Sequence, residues 1–161
     1  KKTTFTMVCA LLVVMSSAFY FVPVTESGMW IMLLLQVMIS ILTGIMSPLV
    51  WSMYADVSDY AELQYHTAST GLIFSSSSMA QKVGGAIGGS AALWLLSSFG
   101  YVAAAPGAET PEQPAEAVEC LRWLMSFIPA MVAAIAFVVM WIYPLTTNYV
   151  KEISEKLKLE R

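Results

Sequence analysis

The side chain that most needs a chemical explanation is Lys82, which lies within an otherwise uncharged stretch of small and apolar residues from Ser69 to Phe99. An ionised side chain at the centre of a membrane helix costs about 2.5 to 3.5 kcal/mol, so a lysine there needs a polar environment. Helical spacing gives it four hydroxyl-bearing or small companions on the same face, Ser75, Ser78, Gly85 and Gly89. We predict that Lys82, Ser75 and Ser78 face a polar solute pocket. The alternative is a lysine that extends to the membrane surface, beside hydroxyls bonded back to their own helix.

The counter-ion of Lys82 is not supplied by the apolar stretches of this sequence. None of them carries an aspartate or a glutamate at membrane depth. The anionic partner of the lysine therefore belongs to another part of the protein or to a ligand, which favours a larger assembly.

Four glycines follow the lysine as two overlapping small-xxx-small pairs, Gly84 with Gly88 and Gly85 with Gly89. Such pairs let a second helix approach closely, because glycine has no side chain to hold it away. The pattern predicts a helix-packing face and by itself indicates no particular function.

Three carboxylates recur at three-residue spacing after the second apolar stretch, at Asp56, Asp59 and Glu62. On a helical turn they share one face, where they repel each other unless cations from elsewhere meet them. One hypothesis is a cytoplasmic gate that these carboxylates lock when it is closed. The alternative is a solvated charge cluster at the membrane surface.

The remaining reactive residue types form no catalytic or metal-binding pattern. His66 is the single histidine, and no second ligand or nucleophile accompanies it. Cys9 and Cys120 lie toward opposite membrane faces in the topology below and are expected not to pair. The net charge of -3 includes no basic stripe, which argues against a nucleic acid partner. We expect no enzyme, no metal site and no bound cofactor.

The elements that position these residues are predicted to be membrane helices. Apolar residues make up 58% of the 161 residues and charged residues only 12%, against about 25% charged in soluble domains. We predict an all-α membrane protein whose residues 1–146 hold four transmembrane spans, at about 3–24, 29–55, 69–99 and 120–144. Pro48 and Pro129 are expected to bend the second and fourth spans, and Pro144 to close the fourth.

The flanking charges predict the orientation of these spans. An even number of crossings places both chain ends on one side, and lysines flank both ends, so the termini are predicted to be cytoplasmic. Residues 56–67 then form a cytoplasmic loop, and the Pro/Ala/Glu-rich residues 103–119 form a mobile outer segment. Residues 147–161 form an amphipathic tail with Val150, Ile153 and Leu157 on its apolar face. This tail is either laid along the cytoplasmic surface or solvated. We also expect no signal peptide and a longer parent protein.

Two motifs occur in order, Ala-Asp-x-x-Asp-Tyr-x-Glu at 55–62 and Gln-Lys-x-Gly at 81–84. Their surroundings at 47–62, 70–75 and 80–89, with Phe-Gly-Tyr-Val at 99–102 and Tyr-Pro-Leu at 143–145, cover nearly the whole chain. Together they resemble the glycoside-pentoside-hexuronide:cation symporters of the major facilitator superfamily, which include the melibiose carriers. The combination is far more specific than either motif alone.

The resemblance implies that the four spans are similar to helices nine to twelve of a twelve-helix transporter whose halves rock about a central site. It implies that Lys82 and Ser78 border the sugar and cation pocket. It also implies that the acidic motif forms a cytoplasmic gate through Asp56, Asp59, Tyr60 and Glu62. The family's acidic cation ligands lie in its amino-terminal half, which would supply the partner of Lys82. One departure is the lack of an arginine after Glu62, so His66 or the missing half is expected to supply the gate's cations.

Two hypotheses of different classes follow. The first is the C-terminal third of a bacterial inner-membrane symporter that couples Na⁺ or H⁺ to a glycoside, pentoside or hexuronide by alternating access. Its partners are the sugar, the coupling cation, the bilayer and the missing N-terminal part of the same transporter. The second is a self-contained four-helix membrane protein that serves as a structural or regulatory subunit. Eight further apolar spans upstream in the reading frame favour the first hypothesis.

Overall fold

The computed structural model describes residues 1–23, 25–67, 69–103 and 111–160, and all regular secondary structure in these ranges is helical. The described helices are α1 Lys2–Tyr20, α2 Glu26–Tyr65, α3 Thr70–Ser98, α4 Ala115–Met125, α5 Phe127–Ile142 and α6 Thr147–Glu160. The predicted all-α class is therefore confirmed. Within the predicted mobile segment at 103–119, residues 104–110 lie outside the described residues, whereas residues 115–119 form the start of α4.

Helix α1 packs mainly against α5 and also against α2. A small core joins the three helices through Phe5, Cys9, Met53 and Met140. Burial elsewhere is sparse, because most of the large apolar side chains of α2 and α5 remain exposed, as expected for surfaces that face lipid or further helices. Cys9 and Cys120 are both buried and free.

Cationic side chains join α1 to backbone carbonyls or side chains of its neighbours at both of its ends, to α5 at one end and to α4 at the other. At one end Lys2 Nζ donates to the carbonyl oxygens of Trp141, at 3.1 Å, and of Tyr143, where α5 ends. At the other end Arg122 Nη2 donates to the carbonyl oxygens of Tyr20 (2.7 Å) and Val22 (3.1 Å), where α1 ends. The last carbonyls of a helix lack intrahelical donors and carry partial negative charge, so both cations satisfy groups that would otherwise be left unpaired.

Helix α2 is longer than the span predicted for it. Its 40 residues correspond to about 60 Å, well beyond the roughly 30 Å of a bilayer core. The predicted loop at 56–67 is wrong over residues 56–65, which contain no proline or glycine and continue α2 as far as Tyr65. His66 ends the helix in the left-handed conformation, with φ 53° and its N–H bonded to the Glu62 carbonyl at 2.9 Å. Pro48 lies inside α2 without ending it.

The fourth predicted span is divided into α4 and α5 at Ser126. Pro129 accounts for the break, since it has no N–H for the Met125 carbonyl and its ring crowds that group. The buried Ser126 hydroxyl donates to the Arg122 carbonyl, which helps to satisfy the interrupted turn. Tyr143, with ψ 120°, ends α5 immediately before Pro144. The structure thus confirms the predicted roles of Pro129 and Pro144.

Three stretches of the described chain are helical, long and apolar enough to cross a membrane: Lys2–Tyr20, Glu26–Tyr65 and Ala115–Ile142. Helix α3 does not reach the same hydropathy, although its 29 residues correspond to about 43 Å. Its serines, glycines and Lys82 explain the difference. The crossing by α3, and with it the count of four spans, remains a prediction.

The predicted amphipathic tail is α6, which packs on the extension of α2 beyond the predicted span. Ile153 is only 2% exposed and, with Leu145 and Leu157, forms an apolar cluster. Val57, Tyr60 and Leu63 of α2 and Val150 of α6 pack against this cluster. The tail is therefore docked rather than solvated. On its outer side Lys156 pairs with Glu152 at 2.8 Å, and this hydrogen bond raises the pKa of Lys156.

Candidate functional site

Lys82 lies on an open face of α3. No residue of α3 is buried, and Lys82 is exposed together with Gly84, Gly85, Gly88 and Gly89. A side-chain carbon added at any of these four glycines would have no neighbour within 4 Å. Within the described ranges no salt bridge or side-chain hydrogen bond involves Lys82. The face predicted to border a pocket and pack against a helix is thus unoccupied by the described chain.

Two serines of the run 75–78, Ser75 on this face and Ser77 beside it, donate hydrogen bonds to their own helix. The Ser75 hydroxyl donates to the Leu72 carbonyl at 3.1 Å, and the Ser77 hydroxyl to the Ile73 carbonyl at 2.8 Å. This is the back-bonded alternative considered for the serine run. A hydroxyl that donates in this way still has lone pairs available to a ligand. Ser78 is half-buried, and the pocket roles of Ser75 and Ser78 remain predictions.

Contacts hold α3 at its two ends and leave its middle free. At the first end the Phe74 ring stacks on Trp51, with centroids 5.7 Å apart, and the Ser58 and Thr70 hydroxyls are hydrogen-bonded at 2.6 Å. Beyond the other end the Gln113 side chain donates to the Val102 carbonyl (2.8 Å) and accepts from its N–H (3.0 Å). The central turns around Lys82 are therefore positioned by contacts made elsewhere.

Asp56 pairs with a cation that the sequence reasoning missed. The Lys1 ammonium contacts both carboxylate oxygens of Asp56, at 2.6 and 2.8 Å, and Asp56 is buried. Lys1 therefore supplies a cation to Asp56 in addition to the expected sources, His66 or the missing half, which stay a prediction. The pair joins residues 55 positions apart in sequence. The sequence did contain one indication of this pair. Lys1 precedes α1 and Asp56 follows the apolar part of α2, so the two residues lie at the same membrane level if the two helices are antiparallel.

The other residues predicted for the gate lie on the same helical extension but have different surroundings. Asp59 shares with Asp56, Lys1 and Lys2 a cavity of about 330 Å³. Tyr60 faces α6 instead, with its ring centroid 6.3 Å from that of Tyr149.

Glu62 is half-buried on the same stretch of α2, and its carbonyl accepts the N–H of the exposed His66. The structure thus brings Asp56 and Asp59 to one cation-bearing cavity and does not gather all four gate residues around it. Gate function at these residues stays a prediction.

The described part of the chain contains no group of three His, Cys, Asp or Glu side chains able to hold a metal ion. Three apolar helical stretches of membrane-spanning length, α1, α2 and the α4–α5 pair, accompany α3 with its open lysine-bearing face. Together these features define an α-helical integral membrane protein.

The chain belongs to the MFS/sugar transport protein family, whose sequence profile matches residues 1–147. Within it the relatives support the glycoside-pentoside-hexuronide:cation symporters, as the motifs had indicated. This is a family of transport proteins rather than enzymes. No solved structure matches the chain.

Named relatives agree with this assignment. The chain is 33% identical to a glucuronide carrier protein homolog of Escherichia coli, over 71% of the chain and 24% of the relative. It is 31% identical to the E. coli inner membrane symporter YicJ, over 98% of the chain and 33% of the relative. It is 33% identical to an uncharacterized 29.9 kDa protein of Pseudescherichia vulneris, over 91% of the chain and 51% of the relative. The chain thus spans about a quarter to a half of the length of these relatives.

Proposed function

We propose that this chain is the C-terminal part of a secondary transporter that couples a sugar or glycoside to Na⁺ or H⁺ by alternating access. Membership of a sugar-transport family supports the class of activity. The observation that carries the proposal further is the open face of α3, where Lys82 stands among serines and glycines with no partner in the described chain. The coupling cation is the only cofactor that this cycle needs.

The position of Lys82 along α3 supports a site at mid-membrane. It is the thirteenth of 29 residues, so about 18 Å of helix separates it from the start and about 24 Å from the end. A cation at that depth needs an anion or water-filled space beside it. Carboxylates of the missing N-terminal part, a coupling cation held by them, and the hydroxyls of a sugar form such an environment together with Ser75 and Ser78.

The contacts of the α2 extension support a gate on the cytoplasmic side of the bacterial inner membrane. Lys1 and Lys2, near the predicted cytoplasmic surface, connect the start of α1 to Asp56 on α2 and to the end of α5. In the state that is closed to the cytoplasm these contacts are present. In the inward-open state α2 moves away from α1 and α5, and the contacts are broken. One shared site that binds both solutes and opens alternately to each side then couples their movements.

The test is uphill uptake by the complete transporter in vesicles with an imposed Na⁺ or H⁺ gradient. Lys82→Ala is expected to abolish accumulation while insertion in the membrane is retained. Lys82→Arg is also expected to fail, because a planar guanidinium replaces a compact ammonium. Lys156→Ala, which removes an exposed lysine from α6, is the matched control and is expected to accumulate sugar normally. Normal accumulation by Lys82→Ala would show that the lysine has no part in coupling.

A self-contained structural or regulatory subunit is not favoured. Such a protein needs no partner for Lys82 and no second half, whereas the relatives extend well beyond the region that this chain matches. Expression of residues 1–161 alone discriminates the two functions. A stable, monodisperse four-helix protein with a protected α3 in hydrogen exchange supports the subunit, and rapid exchange along the glycine face supports the transporter.

A further inference from the structure

A cavity of about 440 Å³ lies between the end of α3 and the start of α4, separate from the Lys82 face and from the gate. Its walls are apolar apart from two carboxylates, and the lining comprises Leu95, Phe99, Glu116, Glu119, Cys120, Trp123, Leu124 and Ile128. The volume falls within the range of pockets that hold small molecules. Neither the transport proposal nor the family assignment gives this cavity a role.

The polarity of the cavity changes along its length. Glu116, Cys120 and Leu124 recur every four residues and therefore lie on one side of α4, and Ile128 of α5 lines the cavity beyond the break at Ser126. From Glu116, in the first turn of α4, to Leu124 is about 12 Å of helix. The stretch from Ala115 to Ile142 is long and apolar enough to cross a membrane. The carboxylates thus lie at the membrane surface, and the apolar walls descend into the hydrocarbon.

The two carboxylates at the surface end are available to a ligand. Glu116 and Glu119 are exposed, and no salt bridge or hydrogen bond engages either side chain within the described residues. The neighbouring cation, Arg122, is turned away, since its guanidinium binds carbonyls at the end of α1 and lies over the Tyr20 ring at 5.2 Å. The exposed Trp123 beside them has the amphipathic side chain typical of a membrane–water interface.

The geometry points to a membrane lipid with a primary ammonium headgroup, such as phosphatidylethanolamine, as the occupant of this cavity. The ammonium binds Glu116 and Glu119, and one acyl chain lies between Leu95 of α3 and the Leu124–Ile128 side of α4 and α5. A primary ammonium has three donors for carboxylate oxygens, whereas a choline headgroup has none. An anionic headgroup without an amine is repelled by the two carboxylates.

The test is native mass spectrometry of the complete transporter in mild detergent, titrated separately with phosphatidylethanolamine, phosphatidylcholine and phosphatidylglycerol. Phosphatidylethanolamine is expected to bind at one site at least about tenfold more tightly than the other two. The double variant Glu116→Gln with Glu119→Gln is expected to weaken it about tenfold, because two charge-assisted contacts become neutral ones. Glu112→Gln, which removes an exposed carboxylate outside the cavity lining, is the matched control and leaves binding unchanged.

A second variant tests the apolar part of the cavity. Leu124→Trp fills the space between α3 and α4 and is expected to abolish this binding while helix content by circular dichroism stays the same. Equal affinity for the three lipids overturns the proposal, as does an unchanged affinity in the double glutamine variant. If the preceding part of the transporter fills the cavity instead, Leu124→Trp lowers the melting temperature and no site selective for phosphatidylethanolamine is found, which also overturns it.

Discussion

The pair between Lys1 and Asp56 provides the sharpest test of the proposed cytoplasmic gate. The Asp56 side chain is 10% exposed and that of Lys1 is 41% exposed, and the ammonium contacts both carboxylate oxygens. Exposed pairs contribute about 0 to 1 kcal/mol, whereas breaking a buried pair costs about 3 to 5 kcal/mol. A half-exposed, two-oxygen contact lies between these limits, at about 1 to 2 kcal/mol. Removing it therefore raises the inward-open population about tenfold.

The two partners should not respond equally. Lys1→Met leaves a buried carboxylate unpaired and is expected to open the gate more than Asp56→Asn, which leaves a half-exposed ammonium that water can solvate. The assay introduces Ser78→Cys into the complete transporter without other cysteines. It measures the rate at which a membrane-impermeant maleimide labels that residue in inside-out vesicles. Labelling is expected to accelerate in both single variants, and no further in the double variant. Strictly additive effects of the two substitutions would refute a direct ion pair at the gate.

Two further predictions concern the elements around the gate. Ile153→Ala removes the most buried apolar side chain between α6 and α2, so it is expected to weaken the docking of α6 by about 2 to 5 kcal/mol. The measurement is hydrogen exchange across residues 147–160, which is expected to become faster. Leu159→Ala, which changes an exposed residue, is the control and is expected to leave the exchange rate unchanged. His66→Val places a β-branched residue at φ 53° and is expected to destabilise the end of α2 by about 1 to 2 kcal/mol. His66→Gly is expected to be tolerated, because glycine adopts this conformation without strain. Equal melting temperatures for the two variants would contradict a conformational role for His66.

The helices of this chain were largely predictable because hydropathy and charge vary along it on the scale of a membrane span. Charge-free stretches predicted the ranges that became α1, the apolar part of α2, and the α4–α5 pair, and Pro129 predicted the bend between the last two. Hydropathy reports where a helix leaves the lipid and not where it ends. The helical extension of α2 from Asp56 to Tyr65 was for that reason mistaken for a loop.

The site was predictable only where neighbours in sequence determine it. The face that Lys82 shares with Ser75 and Ser78 follows from helical periodicity alone, and α3 has that periodicity. The pairing of Asp56 with Lys1 depends on how α1 is aligned with α2 across 55 residues, and a single sequence contains no measure of that alignment. The same limit hid the packing of Tyr60 against the cluster that contains Ile153, although the apolar side of α6 was recognised.

The contacts that Lys2 and Arg122 make with backbone carbonyls at the two ends of α1 restrict how this helix can move. Lys2 of α1 binds the last carbonyls of α5 and Arg122 of α4 binds those at the end of α1, so sliding α1 against the α4–α5 pair would break these contacts and leave the carbonyls without their donors. We therefore expect these helices to move together as one rigid body during a transport cycle. Relative displacement is then left to the long α2 and the loosely held α3, the element that carries the lysine.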